Sequence, residues 1–305
     1  MIVITGAAGF IGWNLHLALK DREELLLVDL KDKFVDNFIT THPTADPFVF
    51  LEKLKDSTFA SKIKVIFHQG ACSDTTVYDP HYMFKYNFDY SAQLLRLCLR
   101  YGIRLIYASS ASVYGDGPFD EITAQHLRPK NLYARSKKLF DDYAYNFLDS
   151  LTTSPQIVGL RYFNVYGPHE AHKGMMASVM CQFRKQITKH GRVYLFEHSK
   201  DYLRDFIYVE DVVKVNLHFL DNAGISGIFN CGTGTARPFT DISACMRDHF
   251  NFEVKEKKMP IQLMGKYQRF TKASLSKLRS AGRYKGKFLT LEEGIGKYAE
   301  FWQTR

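Results

Sequence analysis

The chain has 305 residues, 46% of them hydrophobic, which is enough for a sizeable core and for one large or two modest domains. No apolar run is long enough to cross a bilayer, and the N-terminus opens directly into a core strand instead of a charged region, apolar segment and cleavage site, so a cytoplasmic protein with no membrane partner is expected. The formal charge of +9 raises nucleic acid as a partner, but basic residues are interleaved with acidic ones (Lys53 to Asp56, Asp201 to Asp211), and that distribution argues against it. Five widely spaced cysteines (Cys72, Cys98, Cys181, Cys231, Cys245) with no Cys-x-x-Cys pair argue against a disulfide framework and a zinc site.

Along the chain, the apolar run Ile2-Val3-Ile4 stops at Thr5 and gives way to Gly6-Ala7-Ala8-Gly9-Phe10-Ile11-Gly12. A buried strand followed by glycines at this spacing is the entry to a dinucleotide-binding βαβ unit. One glycine makes the turn, one lets backbone N–H groups approach a pyrophosphate, and one packs the helix on the strand. The positive end of a helix beginning near Phe10 would face the phosphates. A second strand, Leu25 to Val28, ends in Asp29, about where such folds place an acidic residue on the adenosine ribose. A carboxylate alone favours NAD. Lys31 and Lys33 follow at once, however, and cations there can hold the 2′-phosphate of NADP, so NADP is expected, with NAD the alternative.

Strands then alternate with helix-length segments: Val65-Ile66-Phe67, an amphipathic stretch from Tyr82 to Leu99, Leu105-Ile106-Tyr107, a helix from Tyr133 to about Leu148, and Ile157 to Leu160. This rhythm predicts an α/β fold, a doubly wound parallel sheet of Rossmann type with helices on both faces. After Arg161 it breaks down into long loops, a helix from about Met176 to Lys189 and a polar C-terminal third that reads as a smaller α/β substrate-binding domain. Phe206 to Val209 and Ile228-Phe229-Asn230 look like further strands of the main sheet. The expected division is therefore 1–165 plus a returning segment of about 205–232 for the cofactor, and 166–204 with 233–305 for the substrate.

Tyr133-Ala134-Arg135-Ser136-Lys137 puts a tyrosine and a lysine on one face of a helix. A phenol, with an ordinary pKa of about 10, serves as a base near neutrality only if a cation stabilises its anion, and Lys137 supplies one. With 18 tyrosines such a pair arises by chance about once, so position carries the argument. The pair follows a nucleotide-type strand-turn-helix and a strand ending in Ser109-Ser110-Ala111-Ser112, where a serine can bond the same substrate oxygen. Residue chemistry alone does not choose among Ser109, Ser110 and Ser112.

The glycine spacing, the strand-end serine before Tyr114-Gly115 and Tyr-x-x-x-Lys together resemble the extended short-chain dehydrogenase/reductase superfamily, in particular its NAD-dependent epimerases and dehydratases of nucleotide sugars. The resemblance covers nearly the whole chain. It runs through His68-Gln69-Gly70-Ala71-Cys72-Ser73, Arg161-Tyr162-Phe163-Asn164-Val165-Tyr166-Gly167-Pro168, His172-Lys173-Gly174, Arg204-Asp205-Phe206-Ile207-Tyr208-Val209 and Gly265-Lys266-Tyr267-Gln268. It implies inversion at C6 of an ADP-heptose destined for the heptose region of a Gram-negative outer-membrane glycolipid, with Ser110, Tyr133 and Lys137 catalytic and Lys173 as a second acid/base. A second one makes chemical sense, because a hydroxyl that points in two directions is best served from two sides. By the same resemblance Gly6, Gly9, Phe10, Ile11, Gly12, Asp29, Leu30, Lys33, Gln69, Gly70, Ala71, Cys72, Ser73, Asn87, Lys137 and Val165 bind the cofactor. Asn164, Met175, Gln182, Phe196, Glu197, His198, Ser199, Arg204 and Tyr267 bind the substrate, and a ring-like homo-pentamer is the expected assembly. Arg204 suits a diphosphate because its planar fork can bind two oxygens.

The chain departs from the family pattern in being shorter after Asp29, in carrying Gln182 where a histidine is usual, and in carrying Met175 where a serine is usual. The competing readings are inversion at C4 of a UDP- or GDP-sugar on the same scaffold, and a non-catalytic NADP-sensing or RNA-binding relative. The intact Tyr133/Lys137 pair weighs against the second. Ala111 and Ser112 stand where 4,6-dehydratases carry acidic residues.

Overall fold

The computed structural model describes residues 1–34, 38, 40–120, 127–148, 155–260 and 268–304. Strands β1 (Ile2–Thr5), β2 (Leu25–Val28), β3 (Thr44–Ala45), β4 (Val65–His68), β5 (Arg104–Ser110) and β6 (Ile157–Tyr162) follow one another with helical crossovers. Then come β7 (Asn164–Tyr166), β8 (Arg192–Phe196), β9 (Leu203–Tyr208), β10 (Gly227–Cys231), β11 (Ala236–Pro238) and β12 (Glu253–Lys257). Seven strands form the main sheet in the order β10-β6-β5-β4-β1-β2-β3, every pair parallel. Strands this apolar can be buried on both faces only if helices cover both. Their side chains do alternate between two cores: Ile2, Ile4, Leu25, Leu27, Val65 and Phe67 face one, Val3, Leu26, Val28 and Ile66 the other. The chain runs outward from β1 to β3 and returns to β4 on the other side of β1, so the crevice beyond the carboxyl ends of β1 and β4 is the topological switch point where ligands bind.

The expected strand around Phe206 forms as β9, but not in the main sheet. It pairs in parallel with β7 and antiparallel with β11 in a separate three-stranded sheet. The pull on it is local: Phe206 and Tyr208 pack into a third core with Tyr166, Met180, Val193, Leu195, Ile242 and Tyr298. What returns to the main sheet is the helix Val209–Asp221 and β10. Lys255, Glu256 and Lys257 lie in β12, which pairs in parallel with β8.

The amphipathic stretch from Tyr82 is a helix in two parts, Pro80–Phe84 and Tyr90–Tyr101, joined by a π-turn at Lys85–Asp89. The helix carrying Tyr133 spans Leu132–Tyr145, capped by the Asn131 side chain, which accepts from Ala134 N–H at 2.8 Å. Asp141 of that helix docks it on the sheet. It accepts from Arg161 Nε on β6 at 2.8 Å, and from Tyr107 Oη at 3.1 Å and Ser109 Oγ at 2.9 Å on β5. Both members of the ion pair are buried, and the Arg161 side chain also donates to Tyr114 Oη at 2.9 Å. Removing one partner leaves a buried charge uncompensated, so Asp141→Ala is expected to lower the free energy of unfolding by about 3–5 kcal/mol. Equilibrium urea denaturation checks this, and a loss below about 1 kcal/mol would contradict it.

Candidate active site

At the switch point the backbones touch. Gly6 has φ +69°, and a Cβ there would lie 2.4 Å from the Gly70 nitrogen at the end of β4. A Cβ on Gly12 would lie 2.0 Å from the Gly6 carbonyl oxygen, so the helix Phe10–Leu19 can start this close to β1 only with glycine there. No side chain caps that helix, so its N-terminal N–H groups are presented to an anion. The cradle that side chains would fill, the uncapped helix and the acidic end of β2 fit a dinucleotide. Asp29 also braces the loop, accepting from Ala8 N–H at 3.0 Å and Leu30 N–H at 2.8 Å, while burial pushes its carboxyl up against those hydrogen bonds. Lys33 is exposed on the 3-10 turn Lys31–Lys33.

The residues after β4 are held from behind. Gln69 Oε1 accepts from Tyr162 Oη at 3.0 Å. Asn87, in the π-turn, accepts from Cys72 N–H at 2.7 Å and donates to Cys72 O at 3.0 Å and Ser136 Oγ at 3.0 Å. Asn87 thus ties the Gly70–Ser73 loop to the helix of Tyr133. Such π-turns gather at functional sites because the extra residue redirects one side chain.

The structure separates the three serines. Ser109 is buried and spent on Asp141; Ser110 hydrogen-bonds the Tyr133 phenol and accepts from Ser112 N–H at 3.2 Å. Burial raises the Tyr133 phenol, and the Ser110 bond opposes that shift. One turn further on, Lys137 donates to Ala108 O at 2.7 Å. Burial lowers its ammonium to about 8, with Asp141 acting in the opposite sense. Below that value Lys137 is charged.

Lys173 lies elsewhere, on the 3-10 turn Ala171–Met176, with its ammonium 5.3 Å from the centre of the Phe10 ring at the start of the cofactor helix. Burial lowers this ammonium, and Glu170 and Cys181 act against that. Gly174 beside it takes φ +56°, the reversal that the glycine of His-Lys-Gly permits. Gln182 donates from Nε2 to the Gly174 carbonyl at 2.6 Å, so the departure from histidine here braces the loop.

Lys173 also lines a cavity of about 650 Å³, together with Asn164, Val165, Met175, Gln182, Phe196, Ser199 and Arg204. Glu197 and His198 are exposed and do not line it, and Tyr267 lies outside the described residues. The Arg204 guanidinium donates to the carbonyls of Leu203 and Gln268, and Gln268 donates to the Gly115 carbonyl just after the serine turn. Sequence reasoning missed Gln186, Tyr194, Tyr202, Phe239, Lys257 and Met259 on the cavity wall. The alternation of β8 could have indicated Tyr194; nothing local marks the others.

A fold wound about a glycine cradle, with a serine, tyrosine and lysine clustered at the strand ends, defines a nucleotide-dependent oxidoreductase-type scaffold. The chain belongs to the NAD dependent epimerase/dehydratase family, whose model matches residues 2–232, so a nicotinamide dinucleotide is the cofactor class. It is 44% identical to an ADP-L-glycero-D-manno-heptose-6-epimerase of Brachyspira hyodysenteriae, over 98% of this chain and 97% of that one. Among solved structures it resembles an ADP-L-glycero-D-manno-heptose-6-epimerase of Helicobacter pylori, with a TM-score of 0.84 and 30% identity over 100% of this chain and 96% of that one. It also resembles a Thermus thermophilus UDP-glucose 4-epimerase in complex with NAD, with a TM-score of 0.75 and 25% identity over 99% and 98% of the chains. No helix among the described residues is long and apolar enough to cross a membrane.

Because a Cβ at position 6 has nowhere to go but into Gly70, Gly6→Ala is expected to purify with at most a tenth of the nicotinamide dinucleotide found in the wild type. Cofactor released by denaturation and measured by absorbance checks this, and equal content in both proteins would contradict it.

Proposed function

We propose that this protein inverts C6 of ADP-D-glycero-D-manno-heptose, with NADP as the resident cofactor. The observation that carries the reading is the pairing of one acid/base centre, Ser110/Tyr133/Lys137, with a second half-buried lysine, Lys173, on the wall of a cavity large enough for a nucleotide sugar. The full-length similarity to two proteins named for this activity supports it.

An unactivated carbinol carbon is inverted by removing a hydride to give a carbonyl, presenting the other carbonyl face and returning the hydride. When bound, the nicotinamide ring supplies the hydride acceptor and then the donor. Tyr133 takes the hydroxyl proton in one orientation of the substrate, Ser110 holds the same oxygen, and charged Lys137 stabilises the phenolate. Lys173 handles the proton in the other orientation, and the cycle closes with no net oxidation. Arg204 holds the diphosphate, and Lys33 meets the cofactor 2′-phosphate from its exposed turn. The product would supply heptose for an outer-membrane glycolipid.

Incubation with ADP-D-glycero-D-manno-heptose, followed by proton NMR, is expected to show inversion at C6. Tyr133→Phe and Lys173→Ala should each lower the rate by about 10²–10⁴-fold. An unchanged ADP-heptose, above all with inversion of UDP-glucose at C4 instead, would overturn the reading. Lys33→Ala is expected to weaken NADP binding about tenfold while leaving NAD binding within twofold, because the two cofactors differ only in the phosphate this cation would meet. Competitive titration of cofactor-stripped protein measures both, and equal losses would place Lys33 outside the 2′-phosphate site.

A further inference from the structure

We infer that Glu170 is the positioning residue for Lys173, a buried carboxylate that pins both ends of the loop from Gly167 to Ser178 and so determines where the ammonium stands. The inference rests on reading Lys173 as the second acid/base. Glu170 is fully buried. Its carboxylate accepts from Gly167 N–H at 3.1 Å at one end of the loop, and from Ser178 N–H at 2.5 Å and Ser178 Oγ at 2.6 Å at the other. The Tyr298 phenol hydrogen-bonds it from the C-terminal helix Leu291–Gln303, in the third core. Its main-chain carbonyl accepts from Lys173 N–H at 3.0 Å, which winds the turn that carries the lysine.

Burying a charge is expensive unless it is compensated, and here donors from Gly167, Ser178 and Tyr298 meet the carboxylate. The nearby cations are Lys173 on its own turn and Lys185 of the following helix, whose ammonium donates to the Ala171 carbonyl at 3.4 Å. The titratable groups around the Lys173 ammonium are Glu170 and His172 on its own turn and Cys181 on the helix Val179–His190, while the cofactor helix presents the uncharged Phe10 ring. Glu170 is thus the anion that keeps a desolvated lysine able to hold a proton, and the same side chain sets its backbone. No catalytic contact is assigned to it.

The test uses holoenzyme labelled with 13C at lysine Cε, whose shift follows protonation of Nζ; the Lys173 signal is the one absent from Lys173→Arg. Glu170→Gln keeps the size and the acceptor for Gly167 N–H and Ser178 Oγ, gives up the bond from Ser178 N–H, and removes the charge. It is expected to lower the pKa of Lys173 by about 1 pH unit. It should also lower kcat about tenfold with KM within twofold, and move the alkaline limb of the rate profile down with the lysine. An unmoved Lys173 titration in a folded Glu170→Gln protein would overturn the inference. If Glu170→Gln does not fold, Tyr298→Phe strips only one donor from the carboxylate and should raise the pKa of Lys173, with no movement again overturning it. If the titration moves as expected but Lys173→Arg epimerises at the wild-type rate, the acid/base reading of Lys173 fails while the coupling to Glu170 stands.

Discussion

Everything reactive on the main sheet is referenced to the buried pair Arg161–Asp141. Tyr133, Lys137 and Asp141 recur every four residues on one face of their helix, so holding Asp141 determines where the other two stand. Three donors from two neighbouring strands converge on this one carboxylate, from Tyr107, Ser109 and Arg161. Apolar packing alone would tolerate a helix that slides by a fraction of a turn; directional bonds to fixed strand positions do not. Ser110 leaves the same strand one residue after Ser109, so Ser110 and the Tyr133 phenol that it hydrogen-bonds are both measured from that pair.

The rest of the site is rooted in a different core. Lys173 sits on a loop whose carboxylate anchor, Glu170, bonds Tyr298 among Tyr166, Met180 and Ile295. The glycine cradle belongs to the main sheet, and the Lys173 ammonium over Phe10 is where the two regions meet. A dinucleotide seated on the cradle would therefore have near it a side chain held from the other core.

Much of this was legible in the sequence, and for physical reasons. The glycines at 6 and 12 announce a contact no other residue permits, and four consecutive buried residues in each of β1, β2 and β4 announce a sheet covered on both sides. Tyr133 and Lys137 were visible because both lie on one short helix. The residues that the sequence hid act across the fold. Asp141 looks like any helix acid until Arg161, 20 residues on, is brought against it. Glu170 looks like a loop acid until Ser178 and Tyr298 close over it. The misplacement of β9 has the same cause: Leu203–Tyr208 is apolar enough for either sheet, and only its long-range partners Asn164–Tyr166 and Ala236–Pro238 decide between them. Ser110 was separable from Ser109 only by direction, since successive strand residues point to opposite faces.

The proposed cycle, with no net oxidation, places an unusual demand on this geometry. The oxidised sugar must turn its other face without leaving, because a released ketone would strand the reduced cofactor. Turning requires room at one end of the substrate and grip at the other. The cavity of about 650 Å³ supplies the room. On the proposed reaction the grip falls to Arg204, whose guanidinium is held in place by the carbonyls of Leu203 and Gln268. Gln268 also donates to the Gly115 carbonyl, which makes it a strut between Arg204 and the turn that carries Ser110. On the proposed reaction, then, the nucleotide end is fixed relative to the acid/base centre while the sugar end is left free to rotate between Tyr133 and Lys173. On that proposal Tyr133 and Lys173 stand on separate elements, one helix and one loop, because a single residue could follow the hydroxyl to only one of its two positions.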